Sequence, residues 1–127
     1  MFLEKIPDIN LVDAGKLLDV IQLIKSLGKF DYAKELPFSM RQKLCEIDKT
    51  FTTDEIVVNG IIDLVCLGDE NILIDYKYTT EKNIQKIVET YKLQLELYQK
   101  ALEKSGKIKI DKKYLLLLST NELVEIK

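Results

Sequence analysis

Histidine is absent from all 127 residues, which excludes imidazole general acid–base catalysis and His-ligated zinc. Cysteine occurs only twice, at Cys45 and Cys66. Single and widely spaced thiols make neither a disulfide framework nor a ligand set for zinc or an iron–sulfur cluster. No stretch approaches the roughly 20 apolar residues of a bilayer span, and no basic-then-apolar leader is recognisable, so a cytoplasmic location is expected. There is no internal repeat, no low-complexity segment and no Gly-rich phosphate loop, so neither an ATP site nor a helicase motor is expected in this chain. A basic excess is lacking too. The 19 Lys and Arg residues face 21 Asp and Glu, giving a net charge of −2 and a pI near 5.3. That works against strong independent binding of nucleic acid, but leaves DNA open as a substrate, because a site that gathers carboxylates for a metal is acidic by design.

What is present suits a single α/β domain over residues 1–127, with 46% apolar and 31% charged residues. Residues 1–10 read as irregular, with Pro7 as a breaker. A helix is predicted over 14–27, with Asp13 as N-cap, Leu17, Leu18, Ile21, Ile24 and Leu27 on its apolar face, and Gly28 just past its end. Residues 30–45 read as an extended strand, and 46–55 as a polar loop. Glu35 precedes Pro37, which argues against a helix through it; alone, it reads as an exposed strand-end glutamate. A long helix is predicted over 81–104, capped by Thr79 or Thr80. Ile84, Ile87, Val88, Tyr91, Leu95, Tyr98 and Leu102 form one stripe with Gln94 at its edge. The apolar run 114–119 reads as a buried strand, Asn121 and Glu122 as a turn, and 123–126 as a short edge strand. The expected fold is a mixed central β-sheet flanked by helices.

The centre of the chain is the stretch 57–79, VVNGIIDLVCLGDENILIDYKYT. Two β-branched runs, 56–67 and 72–78, flank a polar Gly68-Asp69-Glu70-Asn71 turn and read as a β-hairpin. Each run carries charge where a buried strand should not. Burying a lone carboxylate costs several kcal/mol or more, so such groups are paired or bind metal. Period-two alternation puts Asp75 and Lys77 on one face, about 6–7 Å apart, and the adjacent strand can bring Asp63 beside them. Two carboxylates and a lysine on one sheet face can make a metal site with a cationic neighbour. Gly60 in the first run marks either a bulge or close approach of another backbone or ligand, or a simple packing accommodation.

A strand Asp followed about ten residues later by Asp-X-Lys resembles the PD-(D/E)XK nuclease superfamily. KELPF at 34–38, NGIIDLV at 59–65, LIDYKYT at 73–79 and YKLQLELY at 91–98 follow the order and spacing of RecB-like nuclease domains. The likeness is to the C-terminal nuclease domain of the AddA component of AddAB-type helicase–nucleases, and it covers roughly residues 8–127. A lone Asp…Asp-X-Lys would be weak; four ordered motifs are specific.

The resemblance implies a Mg²⁺-dependent deoxyribonuclease, with Mn²⁺ able to substitute, acting on DNA ends in recombinational double-strand-break repair. It implies Asp63, Asp75 and the Tyr76 backbone carbonyl as metal ligands, and Asp63, Asp75, Lys77 and Glu35 as catalytic residues. Glu35 would stand at the active-site edge, and Gln94 and Tyr98 would border the cleft and contact the DNA backbone or order the metal site. The implied setting is a larger bacterial helicase–nuclease at the nucleoid. A motor in the same polypeptide and a second nuclease subunit would feed it DNA, chiefly single-stranded ends. Many such domains add a histidine ligand from an upstream helix; this sequence has none. The alternative is a catalytically degenerate nuclease-fold module that binds DNA ends or helps subunits to assemble.

Overall fold

The computed structural model describes residues 14–47, 49–50, 52–105 and 108–127. The expected irregular segment 1–10 and the Asp13 cap lie outside them. Helix α1, Ala14–Lys25, presents Val20, Ile21 and Ile24 to the core, and Gly28 follows it at φ 144°. This left-handed backbone is open to glycine at little cost; the helix itself stops at Lys25, two residues short of the expected Leu27, and a turn follows.

Strands β1 (Asp31–Lys43) and β2 (Glu55–Leu67) form a long antiparallel ribbon whose pairs run from Asp31↔Leu67 to Lys43↔Glu55. Its turn is not wholly a loop, as the polar composition of 46–55 suggests. Leu44–Ile47 form a helical turn, α2, whose Glu46 carboxylate accepts a 2.8 Å hydrogen bond from the buried Gln42 amide. Then come β3 (Ile72–Lys77), α3 (Ile84–Ser105), β4 (Lys112–Leu117) and β5 (Glu122–Ile126). The sheet order is β1-β2-β3-β4-β5, and only β3 and β4 are parallel. A parallel pair cannot be joined by a tight turn, and α3 supplies the crossover.

α3 starts three residues later than expected. Asn83, not Thr79 or Thr80, caps it, accepting the Lys86 N–H at 3.3 Å. Thr79 Oγ1 instead accepts the Glu81 N–H at 3.0 Å, turning the chain from the sheet to the helix layer. β4 likewise begins earlier than the apolar run, at Lys112, and leaves Leu118 and Ser119 to the following turn.

Each sheet face has its own core. α1 packs with Leu64, Cys66, Ile72, Ile74 and Tyr76 on one face, and α3 with Ile62, Val65, Leu73, Leu115 and Leu117 on the other. No helix among the described residues is long and apolar enough to cross a membrane.

Two irregularities in this sheet create the site. The first is that β2 pairs with β3 only at Leu64↔Ile74, Val65↔Leu73 and Cys66↔Ile72. From Asp63 back to Glu55, β2 is held by β1 alone, so β2 and β3 part at Asp63. The second is a break in alternation. Ala33 and Leu36 both pack on the α3 side, as do Ile62 and Val65. Residues three apart cannot share a face of a regular strand. The pairs Lys34↔Leu64 and Leu36↔Ile62 bracket the cause: Glu35 and Asp63 stand opposite each other but drop out of the ladder, and Glu35 adopts φ 50°.

Candidate active site

Where β2 and β3 part, Asp63 takes over the lost ladder. Its Oδ2 accepts the Tyr76 N–H at 2.8 Å. The N–H and C=O of a strand residue leave on the same side, so the Tyr76 carbonyl is directed into this gap as well. The next carbonyl, Lys77 O, turns the other way and accepts from Leu118 N at 2.9 Å. The Tyr76 ring lies in the α1-side core, while Asp75 and Lys77 alternate to the α3 side.

Asp75 is only 2% exposed. Lys77 Nζ lies 3.0 Å from its Oδ2. The approach falls outside hydrogen-bond angles, so this buried oxygen has an ion-pair neighbour but no directed hydrogen bond. The Asp63 carboxyl is pushed up to about 7, above all by burial and then by the Asp75 carboxyl within reach to share a proton, against the Tyr76 N–H and Lys77, which pull it down.

α3 roofs the site. Lys77 Nζ sits 4.8 Å from the centre of the Tyr91 ring, a cation–π contact. One turn on, Gln94 Nε2 donates to the Tyr98 hydroxyl at 2.7 Å. Burial raises the Tyr98 phenol, partly offset by the Gln94 hydrogen bond, so the phenol stays protonated. The Tyr98 ring meets Phe38 edge-on, with centroids 5.3 Å apart. Phe38 lies opposite Gly60 in the ribbon, and a Cβ at residue 60 would come within 2.6 Å of the Phe38 ring. Of the two readings of Gly60, packing accommodation is the one observed: side-chain rings, not another backbone, lie over it.

The structure thus brings Asp63, Asp75, Lys77, Gln94 and Tyr98 to one side of the sheet. Glu35 differs from its expected place. It is mid-strand rather than at a strand end, opposite Asp63 in register and exposed. Among the described residues its carboxylate makes no ion pair with Lys77. Its left-handed backbone breaks the alternation and turns the side chain out of the ladder. Two features were missed from sequence. Tyr91 packs against the α3-side core, as its place on the stripe suggests, but its contact with Lys77 was not foreseen. The Phe38–Gly60–Tyr98 stack needs the strand register to be seen.

Among the described residues no group of three or more acidic or thiol side chains gathers into a metal cage. The donors that do converge are two carboxylates and a main-chain carbonyl. This hard-oxygen set fits a small divalent cation that keeps several waters. The buried Asp75 oxygen, with Lys77 beside it but no directed hydrogen bond, and the Asp63 carboxyl, pushed up by burial and then by Asp75, would both be stabilised in their charged forms by a bound cation.

The model of the PD-(D/E)XK nuclease superfamily matches residues 12–124. The chain is similar to the A component of the ATP-dependent helicase/nuclease of Clostridium acetobutylicum, 36% identical over 100 residues, covering 73% of this chain and 8% of that protein. Its counterpart in Lactococcus lactis subsp. cremoris is 36% identical over 119 residues, 86% of this chain and 9% of that protein. That of Lactobacillus delbrueckii subsp. bulgaricus is 42% identical over 79 residues, 57% of this chain and 6% of that protein. The chain therefore spans less than a tenth of the length of these relatives. With the match extending over nearly all its residues, the chain belongs to the PD-(D/E)XK nuclease superfamily.

Proposed function

We propose that this chain is a divalent-metal-dependent deoxyribonuclease domain that hydrolyses phosphodiester bonds at DNA ends, chiefly of single strands, during recombinational repair. The observation that carries the reading is the convergence of Asp63, Asp75 and Lys77 where β2 and β3 separate. Asp63, Asp75 and the Tyr76 carbonyl would hold Mg²⁺, or Mn²⁺ in its place. When bound, such a cation polarises a phosphoryl oxygen and makes hydroxide available near neutral pH.

The chain's own residues do the rest. Lys77 is held between Asp75 and the Tyr91 ring, so its ammonium is pre-set rather than swinging in solvent. From there it donates to the attacking water and offsets charge growing on the phosphorane. Tyr98 accepts from Gln94, which leaves the Tyr98 O–H free to donate to a phosphate oxygen. Glu35, exposed beside Asp63 in register, lines the edge by which a strand enters.

The names of the relatives join helicase and nuclease in a single protein. A motor in the same polypeptide and a second nuclease subunit, working at the bacterial nucleoid in the cytoplasm, would deliver DNA to this domain. The test is digestion of end-labelled single-stranded DNA with Mg²⁺, Mn²⁺ or EDTA, by the wild type and by Asp75→Asn. Cleavage that needs the metal and Asp75 is expected. DNA binding without cleavage under every metal would instead make the domain a degenerate end-binding or assembly module.

A further inference from the structure

β3 leaves the site in an exposed aromatic residue. Tyr78 directly follows Lys77 and is 67% exposed. Its backbone is nonetheless fixed on both sides. Leu118 N–H donates to Lys77 O, and Ser119 Oγ donates to Thr79 O, each at 2.9 Å. A large apolar ring held out in water by an anchored main chain is a surface prepared for contact rather than a frayed end. Tyr78 lines a cavity of about 480 Å³ together with Ile84, Ile87 and Leu117. That size falls within the roughly 300–1,000 Å³ of small-ligand pockets.

The charges around the cavity discriminate between the parts of a nucleotide. Glu81 and Glu122 outnumber Lys82 there, so a phosphate is repelled. A base is not, and carboxylates can accept from the exocyclic amino group of a base. The cation that attracts phosphate, Lys77, is the neighbouring residue. Ile87 and Leu117, which line the cavity with Tyr78, belong to the α3-side core, the side to which Lys77 projects, so one nucleotide can reach both.

We propose that Tyr78 is a stacking platform for one unpaired base of the DNA strand whose phosphate lies at Asp63, Asp75 and Lys77. This inference rests on the nuclease reading. It assigns a preference for single strands to a specific side chain, because a base inside a duplex must first leave its own stack before it can use the ring.

The test is binding of a labelled single-stranded oligonucleotide to the 127-residue chain in Ca²⁺, with one abasic position walked along the strand. Tyr78→Ala should weaken binding roughly 5- to 150-fold, the range of one base–aromatic stack, and Tyr78→Phe should not. The wild type should lose a similar factor when the abasic position reaches one particular nucleotide, and Tyr78→Ala should be insensitive to that position. If the wild type cleaves DNA in Mg²⁺ but shows no abasic-sensitive position, and Tyr78→Ala binds as tightly, the platform is refuted and the nuclease reading stands. A wild type that neither binds nor cleaves DNA refutes both.

Discussion

The Tyr76 main-chain N–H donates to the Asp63 carboxylate at 2.8 Å, in the place where the β2–β3 ladder, which ends at Leu64↔Ile74, would have supplied a backbone acceptor. One side chain therefore does two jobs. It satisfies a donor orphaned by the parting strands, and it puts an oxygen into the gap they open. The other Asp63 interactions are with Asp75 and Lys77, so the break in the sheet and the chemistry of the site have a common origin.

This relationship gives metal-free stability a predictable pH dependence. The Asp63 carboxyl is raised from 3.8 to about 7 in the folded chain. Between those values the native state holds more protons than the unfolded state, so stability falls as pH rises through that window and levels off above it. Melting in EDTA across this range should show the fall. Asp63→Asn keeps an acceptor for Tyr76 but has no proton to lose, so its profile should be flatter. Added Mn²⁺ should raise the wild-type Tm more above pH 7 than at pH 5, because the ion competes with the proton. An Asp63→Asn profile as steep as the wild type would assign the slope elsewhere.

Asp75 and Lys77 should separate metal binding from turnover. Asp75→Asn removes a ligand charge and the partner of Lys77, and is expected to abolish cleavage and weaken Mn²⁺ binding measured by calorimetry. Lys77→Ala should lower kcat by roughly 10²–10³, the usual cost of a pre-set electrostatic donor, with a smaller effect on Mn²⁺ affinity. Equal losses of metal affinity in the two variants would place Lys77 in support of the ligands rather than in the chemical step.

The strand carboxylates and the lysine were legible in the sequence for a simple reason. Charged residues at period two inside β-branched runs have few structural explanations, so Asp75 and Lys77 could be placed on one face without coordinates. The five-stranded mixed sheet and both main helices followed from equally regular patterns. Features that depend on pairing between distant strands were not legible. Glu35 adopts a left-handed backbone that no local preference of glutamate favours. It does so at the point where the ribbon loses one pair, which only the β1–β2 register reveals. The start of α3 was misplaced because Thr79 and Thr80 are good caps in isolation, whereas the chain needs extra residues to climb from the sheet to the helix layer. Tyr91 was readable as buried on its stripe, but nothing local says that a lysine from another element lies under its ring.

Gly60 offers a test of how packing supports the site. Alanine there would bring its Cβ to 2.6 Å from the Phe38 ring, which touches Tyr98 in turn. Gly60→Ala should destabilise the fold by about 1–3 kcal/mol, the usual cost of overpacking. It should also weaken DNA binding by displacing the Tyr98 hydroxyl. Adding Phe38→Leu should recover much of the stability, because a smaller, flexible side chain can yield. If the double variant is no more stable than Gly60→Ala, the ring contact is not the cause.

A chain of 127 residues with a net charge of −2 gains little from long-range attraction to a polyanion. On the proposed reading its contacts with DNA, through Lys77 and its neighbours, would be few, so the affinity should be low and should decline further as added salt makes counterion release less favourable. Two carboxylates and a carbonyl would also make a weak Mg²⁺ site, so cleavage should need divalent ion on the order of millimolar and low ionic strength. Tethering the chain to a sequence-neutral single-strand-binding domain should restore activity at dilute substrate by raising the local concentration, while leaving the saturated rate unchanged. The comparison is of initial rates for the free and tethered forms at two salt concentrations and two substrate concentrations. Vigorous, salt-insensitive cleavage by the free chain would show that it grips DNA by itself. A tether that raised the rate at saturation would show that it alters the site rather than supplying substrate.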